Sequence, residues 1–323
     1  ISLAMLQEFV PNSGTAWQFT LDALGDYCER MLSHAANGEE PLFPAGGPLA
    51  AAAAEVPERM VDAIAAYLES ARLLGRRTAE LHAALASDPE DPAFAPEPFT
   101  VFYQRSLYQS MRAGASQVFQ ALSRRLAGLP AEVRELGGRV LGSQNDILKV
   151  YRDLIGEKIA ATRIRTHGDY HLGQVLYTGK DFVIIDFEGE PSRSISDRRL
   201  KRSPLRDVAG MLKSFHYAAY TALTNQFAEE HASPGVVRPE DREKLEPWLR
   251  AWYLWVSAAY LRAYLDAAAG QGILPDDPGQ MRRLLDAFLL EKAVYEVGYE
   301  LGHRPGWVKV PLLGILDLLG QLG

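Results

Sequence analysis

His167-Gly168-Asp169-Tyr170-His171-Leu172-Gly173-Gln174 leads into Val175-Leu176-Tyr177, a Gly179-Lys180 turn, Phe182-Val183-Ile184-Ile185 and then Asp186-Phe187-Glu188. The apolar runs are short, rich in β-branched and aromatic residues, and broken by a glycine turn. That pattern predicts a tight hairpin. With Arg163-Ile164-Arg165-Thr166 just upstream, these runs form an island of β character over residues 163–190. On either side the apolar spacing is helical. It predicts helices over about 15–32, 50–86, 100–127 and 132–161, then about 205–231, 240–268, 279–301 and 312–320. The expected class is therefore α+β, mostly α-helical, with a small β island. Proline-rich Asp88–Pro98 and glycine-rich Gly38–Pro48 read as irregular connections, and residues 1–10 read as a strand before the Pro11–Gly14 turn.

Loops on a rigid scaffold are where catalytic side chains concentrate, so the island is the first place to look for chemistry. Strand, loop, strand, turn, strand and acidic loop put Asp169 and Asp186 at neighbouring strand ends. Two carboxylates so placed can divide labour. One orients an attacking hydroxyl and accepts its proton, and the other holds Mg²⁺ against phosphate oxygens. Gln174, five residues after Asp169, offers an amide oxygen, and Glu188 can point to the same place from an extended backbone. An Asp, an amide five residues on, and a second Asp after a hairpin is the spacing of ATP-dependent kinases. The amide is usually Asn, and here it is Gln174. Either aspartate taken alone could simply cap a turn. His167 is read as a loop-organising residue, because no cysteine or helical His-Glu pair supports zinc. Asp207, near the start of the helix after Ser203-Pro204, either caps that helix or supports the catalytic-loop backbone.

The 323 residues allow one large domain or two modest ones. A formal net charge of −7 argues against nucleic acid as the main partner. No apolar run approaches the roughly 18 residues of a membrane span, and no signal segment opens the chain, so a cytoplasmic protein with no membrane partner is expected. The lone Cys28 excludes an internal disulfide and reads as a small hydrophobe on a helix. The chain begins Ile1-Ser2-Leu3-Ala4-Met5-Leu6, inside an apolar run, which suggests sequence missing upstream.

On the helix near 279–301, Leu285, Leu289, Lys292, Glu296 and Tyr299 fall on one stripe, with Tyr295 beside it. The stripe turns from apolar to polar and aromatic, as a sugar pocket would require. The alternative is an exposed Lys292–Glu296 ion pair. Trp248, Trp252 and Trp255 sit at near-helical spacing and read as core.

His167–Gln174, Asp186–Pro191 and Arg198–Met211 together resemble maltokinase, of the aminoglycoside phosphotransferase and choline kinase-like superfamily. So do Gly75–His82, Glu291–Glu296 and the opening Leu3–Val10. The resemblance implies a protein-kinase-like C-terminal lobe over residues 15–323. Residues 1–14 would be the last strand of the N-terminal lobe and its hinge, with Gln7, Glu8, Phe9 and Val10 touching adenine and most of that lobe absent. It implies ATP as co-substrate, Mg²⁺ as cofactor and maltose as acceptor. Maltose 1-phosphate would be the product, in trehalose and glycogen metabolism, with fusion to or association with trehalose synthase possible. Asp169 would be catalytic; Gln174, Asp186 and Glu188 would bind metal. Lys292, Tyr295, Glu296 and Tyr299 would contact the sugar, with His167 and Asp207 in support. The alternatives are a phosphotransferase acting on an aminoglycoside or choline, and a noncatalytic nucleotide-binding module.

Overall fold

Thr15 starts the helical body: its hydroxyl accepts the backbone N–H of Gln18, satisfying one of the free donors at the N-terminus of α1 (Ala16–Ala36). The computed structural model describes residues 8–191, 193–224 and 237–322, and among these the chain is mostly helical with a few short strands. The expected hairpin forms from β3 (Val175–Tyr177) and β4 (Phe182–Ile184), antiparallel, with Val175 opposite Ile184. Gly179 takes the positive φ of the turn between them. The segment before α1 lies along the hairpin: Ser13 N–H donates to Tyr177 O (2.7 Å) and Tyr177 N–H to Gly14 O (2.9 Å). Residues 1–7 of the strand expected at 1–10 lie outside the described residues, and Glu8–Val10 have no regular structure.

The island is not one sheet. Thr162–Arg163 (β2) pairs with Glu97–Pro98 (β1), forming a second ladder separate from the hairpin. The proline-rich segment therefore supplies a strand. Pro98 is tolerated because a two-stranded ladder has only edges, where a missing N–H costs little. Arg163 anchors the ladder through Glu97 (2.7 Å).

The helix expected over 50–86 is three: α2 (Pro48–Ala53), α3 (Glu58–Ile64) and α4 (Tyr67–Ala84). Pro57 accounts for the first break, since it disfavours the helical conformation at Val56. Ala65 makes the second, with φ 57°. α5 (Val101–Arg125) forms near its expected span. The helix expected over 132–161 divides at Ser143 into α6 (Ala131–Gly142) and α7 (Gln144–Asp153). A single turn, α8 (Ile195–Arg198), precedes α9 (Leu205–Thr224), α10 (Arg242–Ala268), α11 (Pro278–His303) and α12 (Lys309–Leu322).

α10 packs along α4, α2 and α9, while α11 bridges α9, α5 and α12. Trp248, Trp252 and Trp255 are buried in this core. Cys28 is buried too, and burial pushes its thiol up to about 12, which leaves it unreactive. No helix among the described residues is long and apolar enough to cross a membrane.

Candidate active site

The loop carrying Asp169 is fixed from two sides. Asp207, in the first turn of α9, is 2% exposed and accepts the backbone N–H of His167 (2.7 Å) and of Gly168 (3.0 Å). His82 of α4 reaches the same carboxylate through Nε2 (3.3 Å), and its Nδ1 lies 3.0 Å from the Tyr264 hydroxyl of α10. Burial would raise the Asp207 pKa, but His82, His167 and the Gly168 N–H outweigh it and hold the carboxyl below the usual value. Asp207 thus bonds the backbone of the Asp169 loop rather than only capping α9. His82, from the Gly75–His82 run, is fully buried here.

His167 makes the second link. Its Nε2 donates to Ile185 O (2.8 Å), so Nδ1 is free to accept the Asp169 N–H (3.4 Å). One buried imidazole therefore ties the Asp169 loop to the residue before Asp186. His167 packs against Tyr170 and Phe187 with tilted rings, the centroids 5.3 Å away in each case.

α9 lies directly beneath this loop, and Gly210 makes the approach possible. A Cβ at Gly210 would stand 2.5 Å from Tyr170 O. Gly210→Val is expected to cost about 1–3 kcal/mol, as overpacking does, and to lower turnover further than the loss of folded protein explains. Thermal unfolding and initial rates check this; wild-type values for both would show that the approach has slack.

Asp186 has φ 62°, an uncommon left-handed conformation for a residue with a side chain. Such backbone persists where neighbours hold it, and it gathers at functional sites. Here Ile185 N–H donates to Gln174 O (3.0 Å) and Gln174 Nε2 donates to Asp186 Oδ2 (2.8 Å). Gln174 therefore turns its amide nitrogen, not its oxygen, to Asp186. Glu188 is exposed, and no three His, Cys, Asp or Glu side chains cluster as a metal site among the described residues.

Asp169 lines a cavity of about 680 Å³ together with Lys292, Tyr295, Glu296 and Tyr299 of α11. Asp186, Gln174 and Glu188 are not in its wall. A smaller cavity of about 220 Å³ adjoins it and shares Asp169, Glu190, Lys292 and Tyr295. The Lys292–Glu296 pair (3.8 Å) belongs to the cavity wall, with Glu296 only 13% exposed. The stripe's apolar members, Leu285 and Leu289, are core.

Sequence reasoning passed over much of the rest of the lining. Glu190, Trp17, Tyr217, Glu300, Arg304 and Trp307 come from distant parts of the chain. Only the fold brings them together. Glu300 is buried, accepts from Arg304 (2.7 Å) and Tyr217 (3.2 Å), and has its carboxyl pushed up by burial. His171 Nε2 lies 3.9 Å from Asp169 Oδ2, and burial lowers its pKa. The wall carries four carboxylates, Asp169, Glu190, Glu296 and Glu300, against Lys292 and Arg304. Of the hinge residues, Gln7 lies outside the described residues, Glu8 and Phe9 are exposed, Phe9 at 80%, and Val10 is half-buried.

No family model matches the chain. It is 28% identical over 249 residues to a glucosamine kinase of Streptacidiphilus jiangxiensis, covering 77% of this chain and 49% of that protein. It is 27% identical over 261 residues to a glucosamine kinase of Mycolicibacterium smegmatis (strain ATCC 700084 / mc(2)155), covering 80% and 56%. The chain thus spans about half the length of the curated relatives it matches. A solved glucosamine kinase in complex with glucosamine, ADP and inorganic phosphate superposes with a TM-score of 0.66 at 24% identity, over 96% of this chain and 59% of that one. A second crystal form gives the same score over 98% and 61%. These neighbours establish a shared fold. The resemblance to maltokinase and its superfamily is therefore corrected: the proteins this chain matches are glucosamine kinases. The maltose acceptor, the α-glucan setting and the trehalose synthase association fall with it.

Proposed function

We propose that this chain is the larger, kinase-like C-terminal lobe of an ATP-dependent sugar kinase whose acceptor is an amino sugar, with glucosamine the first candidate. The observation that carries the reading is Asp169, held on a doubly pinned loop, in the wall of a cavity where carboxylates outnumber cations. An ammonium-bearing sugar suits that charge, and the aromatic faces of Tyr295, Tyr299 and Trp307 suit a sugar ring. The names of the curated relatives agree with it.

In this reading Asp169 orients the acceptor hydroxyl and takes its proton as the γ-phosphoryl group is transferred. Asp207 and His167 hold Asp169 in line, and Lys292, Tyr295, Glu296 and Tyr299 seat the sugar. Asp186 would be the residue to hold a magnesium ion. Asp186 offers hard carboxylate oxygens, Gln174 would add its amide oxygen only by turning its amide over from the present bond to Asp186, Glu188 follows two residues on in the sequence, and Mg²⁺ in kinases needs only one or two protein ligands beside water and phosphate. When bound, the ion neutralises charge on the phosphate oxygens. Residues 8–14 lead from the nucleotide side into the helical lobe, with Glu8, Phe9 and Val10 nearest the adenine.

The test is an acceptor panel with the full-length protein and Mg-ATP. Glucosamine is expected to exceed glucose and N-acetylglucosamine in kcat/KM by at least about tenfold, the worth of one charge-assisted hydrogen bond. Equal turnover of all three would remove the amino-sugar assignment.

A further inference from the structure

Behind the cavity wall lies a lysine with no part in the mechanism above. Lys213 of α9 is 2% exposed, and its Nζ sits where α9, α11 and α12 meet. It is 3.9 Å from Glu296 Oε2 on α11 and 3.4 Å from His216 Nδ1 one turn along α9. Asp317 of α12 adds a second negative field. His216, packed against Tyr253 of α10, has its pKa driven well below the usual value by burial and by Lys213. Its Nδ1 is thus an acceptor for the ammonium. Burial lowers the pKa of Lys213 itself, while Glu296 and Asp317 oppose that and Lys292 adds to it.

A buried cation is expensive and is kept only where its partners compensate. Room for this one is made by Gly314, where a Cβ would stand 2.5 Å from Nζ. The compensation is incomplete on the cavity side. Glu296 lies between Lys213 Nζ at 3.9 Å and Lys292 Nζ at 3.8 Å, both beyond hydrogen-bond length. Its Oε2 is buried with no hydrogen-bond partner among the described residues. Two cations therefore fix where the carboxylate sits without using up its lone pairs. Oε2 is turned inward to Lys213, which leaves Oε1, beyond hydrogen-bond length of Lys292, to take a donor from whatever fills the cavity.

We propose that Lys213 is a positioning residue for the acceptor site: from behind the wall it holds the buried Oε2 of Glu296, and so sets the other carboxylate oxygen, Oε1, to meet an N–H or O–H donor of the sugar. This rests on the sugar-kinase reading above. Lys213 does not touch the acceptor; it acts through Glu296, and Gly314 acts through Lys213.

The test is a double-mutant cycle in steady-state kinetics of the full-length protein, using Lys213→Met, Glu296→Gln and the pair, with Gly314→Ala as an independent probe. It is run on whichever sugar of the panel is turned over best. Lys213→Met is expected to raise the acceptor KM about tenfold or more while the ATP KM changes less than about threefold. In the Glu296→Gln background the same substitution is expected to add less than about threefold, because its route is already cut. Gly314→Ala is expected to raise the acceptor KM without altering the ATP KM, even if Lys213→Met does not fold. Additive effects in the cycle, equal rises in both KM values, or an unchanged acceptor KM in Gly314→Ala would overturn the proposal. Turnover of neutral sugars with glucosamine ignored would overturn the amino-sugar reading but leave the cycle to decide on Lys213. No turnover of any sugar would overturn both.

Discussion

Asp169→Asn in the full-length protein lowers turnover by about 10²–10⁴-fold, the range expected for a positioned general base, while the acceptor KM changes by less than about fivefold. The asymmetry follows from the site. The amide fills the same space in the cavity wall and can still hydrogen-bond a hydroxyl, so sugar binding survives. It cannot take the proton, so transfer does not. The loop itself is unaffected, because its anchors are the backbone N–H groups of His167, Gly168 and Asp169 rather than the Asp169 carboxylate. Initial rates over a range of acceptor concentrations check this. A variant with near wild-type turnover would remove Asp169 from the chemistry.

Asp207→Ala is expected to do more damage to the molecule than any substitution in the cavity. It leaves two backbone N–H groups and the buried His82 without their shared acceptor. Losing one partner of a buried charged network costs about 3–5 kcal/mol, a large share of the stability of an ordinary domain. Turnover should fall with it, because the loop that aims Asp169 loses its floor. The pH dependence has a definite sign. The folded-state pKa of Asp207 lies below its ordinary value of 3.8, so its stabilisation is present above that value. It is lost as pH falls through the lower folded value. Below about pH 4 the wild type should lose stability more steeply than Asp207→Asn. Chemical denaturation from pH 3 to 7 measures it, and parallel curves would show that Asp207 carries no such linkage.

Much of the frame could be read from local pattern. The hairpin was visible because β-branched runs flank Gly179, and the tryptophans of α10 declared a core by their spacing. The stripe on α11 was visible because Lys292, Glu296 and Tyr299 share a helical face. Other features were hidden for physical reasons. Pro57 did mark a helix break, but the alanine-rich stretch before it outweighed the signal. Ala65 has no residue type that announces a positive φ. The second ladder needed Pro98 to be a strand residue, which propensity argues against. The burial of His82 has no local signal, because its partners, Asp207 and Tyr264, are 125 and 182 residues away.

The acceptor was misread for a related reason. The proposed roles of Asp169, Gln174 and Asp186 concern phosphoryl transfer, and that chemistry is the same for any sugar hydroxyl. What distinguishes one sugar from another is the charge and shape of the cavity. Those come from Glu190, Glu296, Glu300 and Arg304, and only the last three are near one another in sequence.

The most direct measurement is a crystal structure of the full-length protein with glucosamine and a non-hydrolysable ATP analogue. The account predicts one sugar hydroxyl within about 2.6–3.2 Å of an Asp169 carboxylate oxygen, with the amino group among the carboxylates of the cavity wall. A sugar bound elsewhere, or turned so that no hydroxyl meets Asp169, would contradict it.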